Sequence, residues 1–335
     1  MNLLFLLLGT VLLAMAIIDL VWTTLWVDGG SGPISGRLSR GLWSGMRRVG
    51  GRGSRTLSLA GPLIVSLTLF LWVALLWAGW TLVFAGDSGS LVNAHVEEPV
   101  TWAGRIYFVA YSMFTMGNGD FYPAGAFWQI ATSLTTASGM MFVTMGVSYV
   151  LSILGAIATK RSFASSVTGL ARSGEALVAV GWNGKSLHSL DLPLNAFGSQ
   201  LGKLVEQHRA YPILHYYHSE EDGNASAVAV AVLDEALTLI HAGVPEHAQP
   251  DPVLVKGARS SVDSYLKTLT SAFIDPAGHA PPLPGLGFLR SAGVPTVPDD
   301  AYATRMADLE GRRRKLLGMV IDDAWEWPPG GRLES

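Results

Sequence analysis

The amino-acid sequence predicts an all-α membrane protein: three transmembrane helices, a re-entrant helix and loop between the second and third, and a mostly helical C-terminal domain. Three observations lead to this fold class. The 335 residues are 49% hydrophobic and 15% charged, with a mean hydropathy of +0.34, whereas a soluble domain carries roughly 25% charged residues. The first half contains three long, almost uncharged stretches. In the second half, apolar residues recur at helical spacing.

Each long stretch can cross a bilayer, which takes about 20 apolar residues. The first covers residues 2–27 with Asp19 as its one charge, the second covers 61–85 without a charge, and the third covers 124–159 without a charge. A signal peptide is the alternative for the first stretch. It would need a basic start and a small-residue cleavage site, and neither is clear, so we predict a retained helix.

Charged residues between the stretches predict the orientation. The segment 28–60, which we interpret as a basic Gly/Ser-rich cytoplasmic loop, has one acid, Asp28, and six arginines. These are Arg37, Arg40, Arg47, Arg48, Arg52 and Arg55. Lys160 and Arg161 follow the third stretch, whereas the connection between the second and third is mainly acidic. By the positive-inside rule, we expect an N-terminus outside the cell membrane and a cytoplasmic domain at 160–335. No stretch carries the regular arginine ladder of a voltage sensor.

A shorter, semi-polar stretch, Thr101 to Phe114, is followed by Thr115-Met116-Gly117-Asn118-Gly119-Asp120. A re-entrant helix and an extended loop are tolerated at membrane depth where they line water or are buried in protein. Backbone carbonyls that point at one axis can replace the water around a cation. Alternating right- and left-handed backbone conformations align them, and glycine takes a positive φ without a steric penalty. Gly117 and Gly119 suit the left-handed positions, so this loop predicts an ion path.

The residues of the loop have separate expected roles. Thr115 would offer its carbonyl and hydroxyl at the inner mouth, and Met116, Gly117 and Asn118 would offer carbonyls above it. Asp120 would connect the loop to the preceding helix and make the outer mouth negative. The C-terminal end of that helix carries about half a negative charge, which favours a cation nearby.

This segment resembles the pore loop of the potassium channel family, whose signature reads Thr-Val-Gly-Tyr-Gly-Asp. Thr115, Gly117, Gly119 and Asp120 match, Met116 replaces Val, and Asn118 replaces the aromatic residue. In the family that aromatic packs behind the filter and helps to hold its width, and related filters with a polar residue there include poorly selective ones. The resemblance implies a pore domain over 61–159, with an outer helix, a pore helix, a selectivity filter and an inner helix. It makes K⁺ at the filter carbonyls the expected metal ion.

The resemblance also implies a gating hinge, because a glycine follows the last filter glycine by about 20 residues in simple channels of the family. Here that residue is Gly139. Helical steps from it predict a pore-facing set, whose members face the pore or its inner gate. The set is Phe142 or Val143, with Gly146, Tyr149 and Val150. The alternative is that Gly139 is a site of close helix packing.

Two polar side chains within the predicted membrane region are further candidates. Asp19 is an intramembrane carboxylate, which by default has a partner and a function. Thr23 and Thr24 are candidate partners, and the alternative is a location near the membrane interface. Tyr111 lies one turn before the filter, where it would either donate a hydrogen bond to Asp120 or simply pack.

In the C-terminal half, apolar spacing predicts helices at 194–209, 225–242, 253–273 and 300–327, and the Pro and Gly residues of 275–298 predict a long loop. The stretch Val178–Gly184 comes nearest to a nucleotide-binding turn but lacks the Gly-x-Gly-x-x-Gly spacing. We therefore expect no dinucleotide-type fold and no nucleotide ligand.

Two clusters in this half could bind something. His208, His215 and His218, near Tyr216, Tyr217, Glu220 and Glu221, predict either a metal or pH-sensing group or ordinary packing. Arg312–Lys315 predicts a solvated face or, alternatively, a contact with anionic lipid.

The expected function is a homotetrameric potassium-type cation channel, because one filter loop per chain requires four copies around an axis. One alternative is a poorly selective monovalent cation channel, which Asn118 motivates. Another is a membrane-anchored sensor or scaffold with a vestigial pore loop. The chain lacks cysteine, a nucleophile motif, a metal-ligand spacing and a phosphate loop, so we expect no enzyme and no cofactor. The expected partners are further copies of the chain and the bilayer. A net charge of −3 suggests no nucleic acid, and the cytoplasmic ligand is unknown.

Overall fold

A computed structural model describes residues 1–27, 30–50, 55–95, 97–271 and 274–330. Three residues used in the predictions, Asp28, Arg52 and Phe273, lie outside these ranges. The protein is 72% helical, which confirms the all-α class. It forms two compact units. The first contains Met1–Gly41 and Pro62–Ile153, and the second contains Leu42–Gly61 and Leu154–Ser335.

The helices of the predicted membrane region begin and end close to the predicted bounds. The elements are α1 (Leu3–Leu25), α2 (Ser35–Gly50), α3 (Arg55–Ser58), α4 (Ala60–Ala85), β1 (Leu91–Asn93), α5 (Trp102–Met113), β2 (Phe121–Pro123) and α6 (Gly125–Thr168). Helices α1, α4 and α6 are long and apolar enough to cross a membrane. Helix α6 continues past the predicted end at 159 to Thr168.

The segment predicted as a basic loop is instead largely helical, as α2 and α3. Gly and Ser are poor helix formers, but Leu38, Leu42, Trp43 and Met46 recur at helical spacing and are buried or half-buried. Burial of an amphipathic face outweighs weak intrinsic propensity. The arginines of this segment that the structure describes within α2 are therefore arranged on a helix.

The two short strands pair in an antiparallel manner, with Leu91 opposite Pro123 and Asn93 opposite Phe121. The pairing continues at both ends, since Ala94 N–H donates to the Asp120 carbonyl at 2.9 Å and Ala124 N–H donates to the Ser90 carbonyl at 3.0 Å. This ribbon attaches the residues that follow the 115–120 loop to the segment that follows α4.

The second unit is helical, and its described residues contain no strand. Its helices are α7 (Gly174–Val180), α8 (Asp191–Ala210), α9 (Ser226–Gly243), α10 (Pro252–Thr270), α11 (Leu286–Ser291), α12 (Asp299–Ala307) and α13 (Glu310–Asp322). Helices α8, α9 and α10 lie where they were expected. The predicted helix 300–327 is two helices, and the predicted loop 275–298 contains α11, whose Leu286 and Leu289 are buried in the core.

Helix α9 also meets the length and composition of a membrane span, but 94% of it is buried inside the protein. It packs against α7, α10 and α13. Its Asp234 and Glu235 lie near arginines of the neighbouring helices. We assign α9 to the core of the second unit, because its apolar surface is covered by protein rather than open to lipid.

Candidate functional site

Helix α5 is the element that positions the 115–120 loop. The Thr101 side chain caps its start by accepting a hydrogen bond from Gly104 N–H at 3.2 Å. Phe108 and Val109 are buried in a cluster with residues of α4 and α6. Trp77 of α4 donates its indole N–H to the Ile106 carbonyl at 2.9 Å. A capped and packed α5 therefore fixes the point at which the loop begins.

The loop backbone alternates in handedness. Positive φ angles occur at Thr115 (59°), Gly117 (60°) and Gly119 (83°), and residues 116–119 form neither helix nor strand. The angles of the two glycines agree with the left-handed positions expected from the sequence. Thr115 is a third such position that the sequence did not suggest, because a positive φ is uncommon outside glycine.

The inner end of the loop is held by the last turn of α5. Thr115 N–H donates to the Ser112 carbonyl at 3.2 Å and Met116 N–H donates to the Tyr111 carbonyl at 2.8 Å. From residue 114 to 119 the loop is exposed in the single chain, with Met116 62% exposed. A Cβ atom added to Gly117 or Gly119 would meet nothing within 4 Å. One side of the loop is thus anchored, and the space around its glycines is open.

Tyr107 on α5 joins the two polar side chains of the loop. Its hydroxyl donates to Asp120 Oδ2 at 2.9 Å and accepts a hydrogen bond from the Asn118 side-chain amide. Tyr111 instead donates to the Phe121 carbonyl at 2.7 Å, so the predicted bond from Tyr111 to Asp120 is wrong. Tyr107 and Tyr111 are one turn apart and share a face of α5. That spacing makes Tyr107 a second candidate for the partner of Asp120, but it does not decide between the two tyrosines.

His95, next to the β1 strand, adds an imidazole ring at the Asp120 end of the loop. Its Nε2 atom lies 3.6 Å from Asp120 Oδ1, and its side chain is 73% exposed. Asp120 is therefore in contact with a tyrosine hydroxyl on one side and an imidazole on the other.

The predicted hinge residue, Gly139, packs tightly against the end of α5. A Cβ atom at this position would lie 2.0 Å from the Met113 carbonyl oxygen, so no larger residue fits without backbone movement. The structure therefore supports the close-packing alternative, and the hinge role stays a prediction.

Most of the predicted pore-facing set faces its own chain, and this corrects the assignment. Phe142 is 8% exposed and Tyr149 is 5% exposed, with the Tyr149 ring 6.2 Å from the Trp72 ring of α4. Gly146 lies against Leu69. Side chains buried inside one chain cannot line a path shared by several chains. Val143, at 45% exposed, lies outside this buried stripe, and Val150 is half-buried.

An exposed stripe runs along another face of α6. Its members are spaced at i, i+3, i+7 and i+11 and are 45–64% exposed in the single chain. They are Met140, Val143, Val147 and Leu151. This stripe and the open 115–120 loop are both exposed in the single chain, so they are available to further copies of the chain or to water.

The Asp19 carboxylate is fully buried and accepts hydrogen bonds from three donor groups. It accepts hydrogen bonds from Ile34 N–H at 2.7 Å, from Ser35 N–H at 3.2 Å and from the Trp72 indole at 2.8 Å. The predicted threonine partners are wrong, because Thr23 pairs with the Ser35 hydroxyl instead. Asp19 caps the start of α2 and connects it to α4.

The second threonine, Thr24, donates its hydroxyl to the Leu20 carbonyl at 2.7 Å. This is a bond within α1, one turn back along the helix. Thr24 therefore does not contribute to the Asp19 cluster.

The three histidines of the predicted cluster have different partners, although His208 and His215 line the same small cavity. His208 is buried with its Nδ1 atom 3.2 Å from the Leu204 carbonyl, and burial, with the nearby Lys160 charge, lowers its pKa to about 3. His215 Nε2 lies 3.0 Å from Asp322, and His218 stacks on the Trp325 ring at 5.0 Å. Within the part of the chain that the structure describes, no group of His, Asp and Glu could hold a metal ion.

The tyrosines and glutamates near these histidines in the sequence make contacts of a different kind. Tyr216 lies 5.9 Å, ring to ring, from Trp43, and burial raises the pKa of Tyr217. Glu220 accepts from the Ser58 hydroxyl at 3.1 Å and Glu221 accepts from the Asn224 amide at 3.2 Å.

The solvated face predicted for Arg312–Lys315 is wrong for its first two residues. Arg312 is paired with Asp234 and Asp263, and Arg313 is 3% exposed and lies 3.5 Å from Glu235. These contacts place both guanidinium groups in the core around α9. Both groups are therefore engaged by carboxylates of the second unit, and only Arg312, with a side chain that is 18% exposed, keeps partial access to solvent.

Comparison with known proteins identifies the family. A family model described as "Ion channel" matches residues 67–156, which include most of α4, all of α5, the loop and most of α6. The chain is 45% identical over 320 residues to "Uncharacterized membrane protein YdjJ" of Bacillus subtilis (strain 168), covering 96% of this chain and 94% of that relative. No solved structure matches. The chain is therefore a multi-pass membrane protein that belongs, with YdjJ, to a family with an ion channel pore domain.

Proposed function

We propose that the protein is a homotetrameric, potassium-type cation channel that conducts passively through the backbone carbonyls of Thr115–Asp120. The alternation of positive φ at Thr115, Gly117 and Gly119 carries the proposal. An ordinary strand points successive carbonyls in opposite directions, whereas alternating handedness turns them to the same side. Carbonyl oxygens on one side of the loop can replace the hydration shell of a cation.

Four copies of the chain complete the site. Each chain supplies one loop, and a closed cyclic arrangement brings four loops around an axis. The exposure of the loop in the single chain supports this arrangement, because an exposed backbone at membrane depth must be covered by protein or face a water-filled path.

The inner helix then supplies the water-filled path below the filter. The exposed stripe of α6, which includes Met140, Val143 and Leu151, is the proposed lining. The C-terminal end of α5 carries about half a negative charge, which favours a cation in the cavity below Thr115.

The positive-inside rule supports the proposed orientation in the cell membrane. The N-terminus would be outside, the 115–120 loop would open to the outside, and the second unit would be cytoplasmic. A cysteine-labelling test is straightforward, because the natural chain has no cysteine. A cysteine introduced at exposed Gly89 would be labelled from outside by an impermeant reagent, and a cysteine at exposed Lys256 would not.

A liposome potassium flux assay on the purified full chain tests the proposal. We expect flux from the wild type and at least a tenfold loss in Gly117→Ala, because φ is +60° at this residue and a left-handed non-glycine residue costs about 1–3 kcal/mol in each copy. The matched control is Gly89→Ala, where φ is not in the left-handed region and the added Cβ makes only an ordinary contact.

The sensor or scaffold alternative makes the opposite prediction. A wild type that carries no current, or a Gly117→Ala variant that conducts like the wild type, would contradict a conducting filter. The same results would support a vestigial loop.

A poorly selective monovalent cation channel is the second candidate, and Asn118 favours it. Where the potassium channel family packs an aromatic side chain, this chain has an amide bonded to the Tyr107 hydroxyl. Bilayer recording under opposed K⁺ and Na⁺ gradients separates the two candidates. A reversal potential near the K⁺ equilibrium value supports the selective channel, and one near zero supports the poorly selective channel.

A further inference from the structure

We propose that Arg37 and Arg40, at the start of α2, bind the phosphate groups of anionic phospholipids beside Trp22 and Trp26 of α1. This site is distinct from the ion path, and it depends only on the location of the protein in a membrane.

The first observation is that α1 presents a lipid-facing surface up to its end. Leu7, Val11, Ile18 and Leu25 are each 52–67% exposed along its length. Such a continuous apolar surface on a membrane helix is covered by acyl chains. The end of α1 also lines a shallow groove of about 260 Å³, formed by Val21, Leu25, Trp26 and Val27.

The second observation locates the membrane interface at the C-terminal end of α1. Trp22 and Trp26 stack on each other with ring centroids 5.4 Å apart, and they are 38% and 60% exposed. Tryptophan is enriched at the level of lipid headgroups, where its ring is half apolar and its N–H is polar.

The third observation fixes α2 at that level. The Thr23 hydroxyl lies 2.8 Å from the Ser35 hydroxyl and accepts a hydrogen bond from Gly32 N–H at 2.9 Å. Asp19 accepts from Ser35 N–H. Arg37 and Arg40 then follow Ser35 by about 3 and 8 Å along the helix axis, at a rise of about 1.5 Å per residue. Both arginines are exposed.

Charge complementarity identifies the occupant. From residue 29 to residue 86 the sequence contains six arginines and no Asp or Glu. Among the described residues of α1, the carboxylate of Asp19 is buried and accepts from backbone and indole donors. A guanidinium group matches a phosphate with two parallel hydrogen bonds. A cationic pair beside a tryptophan belt and an exposed apolar helix fits an anionic phospholipid, which supplies both a phosphate and acyl chains.

The test titrates the detergent-purified full chain with dioctanoyl phosphatidylglycerol, with dioctanoyl phosphatidylcholine as the neutral comparison, and measures bound lipid by native mass spectrometry. We expect phosphatidylglycerol to bind more tightly than phosphatidylcholine. In the Arg37→Gln/Arg40→Gln variant its affinity should fall about 25-fold, since each arginine near an anionic surface contributes about a fivefold factor.

Two variants serve as controls. Arg37→Lys/Arg40→Lys should retain most of the preference for phosphatidylglycerol, because the charge remains. Lys203→Gln/Lys256→Gln removes two exposed charges from α8 and α10 and should bind like the wild type. Size-exclusion elution establishes that each variant is folded and assembled as the wild type is.

Three results would overturn the proposal. The first is equal affinity for the two lipids, which would indicate that the surface binds an acidic protein partner instead. The second is unchanged phosphatidylglycerol binding in the double glutamine variant. The third is full displacement of the lipid by 10–20 mM inorganic phosphate, roughly a physiological level, which would indicate a site for a free anion.

Discussion

The membrane helices and helix α9 are all long and apolar enough to cross a membrane, but they have opposite surroundings. Of the most apolar window in each helix, 22% is buried in α1 and 28% in α6, but 94% is buried in α9. Apolar residues on α1 and α6 therefore face the exterior of the chain, whereas those on α9 form the centre of a core. Composition alone does not separate these two cases.

The partners of the charged groups do distinguish a helix that faces the exterior from a helix inside a core. Asp19 of α1 accepts hydrogen bonds from neutral donors, two backbone N–H groups and an indole. Asp234 of α9 is paired with Arg259 at 2.6 Å and with Arg312. Arg259 and Arg312, whose side chains are 22% and 18% exposed, stand between the Asp234 carboxylate and water, which explains how α9 can hold a charge inside the core of the second unit. A helix that faces lipid has no such neighbours.

Close backbone packing in the membrane unit gives the largest expected effect. In Gly139→Ala the new Cβ would lie 2.0 Å from the Met113 carbonyl oxygen at the end of α5. Neither backbone can yield without moving the filter, and overpacking of a rigid site costs about 3 kcal/mol or more. We expect loss of the wild-type elution peak in size-exclusion chromatography and loss of the proposed potassium flux.

The control for this variant is Gly146→Ala, on the same buried stripe two turns further along α6. There the nearest atom, a Leu69 methyl, would lie 3.4 Å from the new Cβ, an ordinary contact. Replacing glycine by alanine within a helix contributes up to about 1 kcal/mol of stability. Equal behaviour of the two variants would contradict the close-packing assignment of Gly139.

The charged core around α9 gives the second effect. Asp234→Ala removes a carboxylate that is 2% exposed and leaves Arg259 and Arg312 without their shared partner. Breaking a buried ion pair from one side costs about 3–5 kcal/mol. We expect the second unit to unfold at a clearly lower denaturant concentration, as measured by circular dichroism on the full chain.

Asp263→Ala is the matched comparison, since Asp263 contacts the same Arg312 with a side chain that is 54% exposed. An exposed pair contributes less than about 1 kcal/mol. A loss of stability as large as that of Asp234→Ala would show that burial does not govern this cluster.

Part of this arrangement is predictable from the sequence. Length and apolar content were enough to predict α1, α4 and α6. The alternating glycines were enough to predict the left-handed backbone at Gly117 and Gly119. The two strands were not predictable, because three residues each is too short for a periodic pattern. Helix α2 was missed because its Gly and Ser content outweighed the spacing of Leu38 and Trp43.

The orientation of α6 was the larger error. Helical spacing correctly places Gly139, Phe142, Gly146 and Tyr149 on one stripe, but it does not say whether that stripe faces a pore or its own chain. The contact of Gly139 with the end of α5 and that of Tyr149 with Trp72 of α4 decide this. For the same reason, spacing could not distinguish Tyr107 from Tyr111 as the partner of Asp120.

The smallest effect is a pH dependence that belongs to the second unit. Burial, followed by the Lys160 charge, lowers the pKa of His208 to about 3, against about 6.5 in an unfolded chain. A lowered folded pKa means that the unfolded state binds the proton more readily. The contribution to stability is therefore complete above pH 6.5 and is lost as the pH falls from 6.5 towards 3. At pH 5.5 the loss is about 1.4 kcal/mol.

Unfolding of the full chain at pH 7.5 and pH 5.5 measures this loss. The wild type should lose about 1.4 kcal/mol more than His208→Gln between the two values, because glutamine does not titrate. His279→Gln replaces an exposed histidine and should keep the wild-type pH dependence. If His208→Gln also kept the wild-type pH dependence, the ring of His208 would have to take up its proton in the folded unit between the two pH values. The core between α8 and α10, where this ring lies 5.4 Å from that of Tyr265, would then have to admit water.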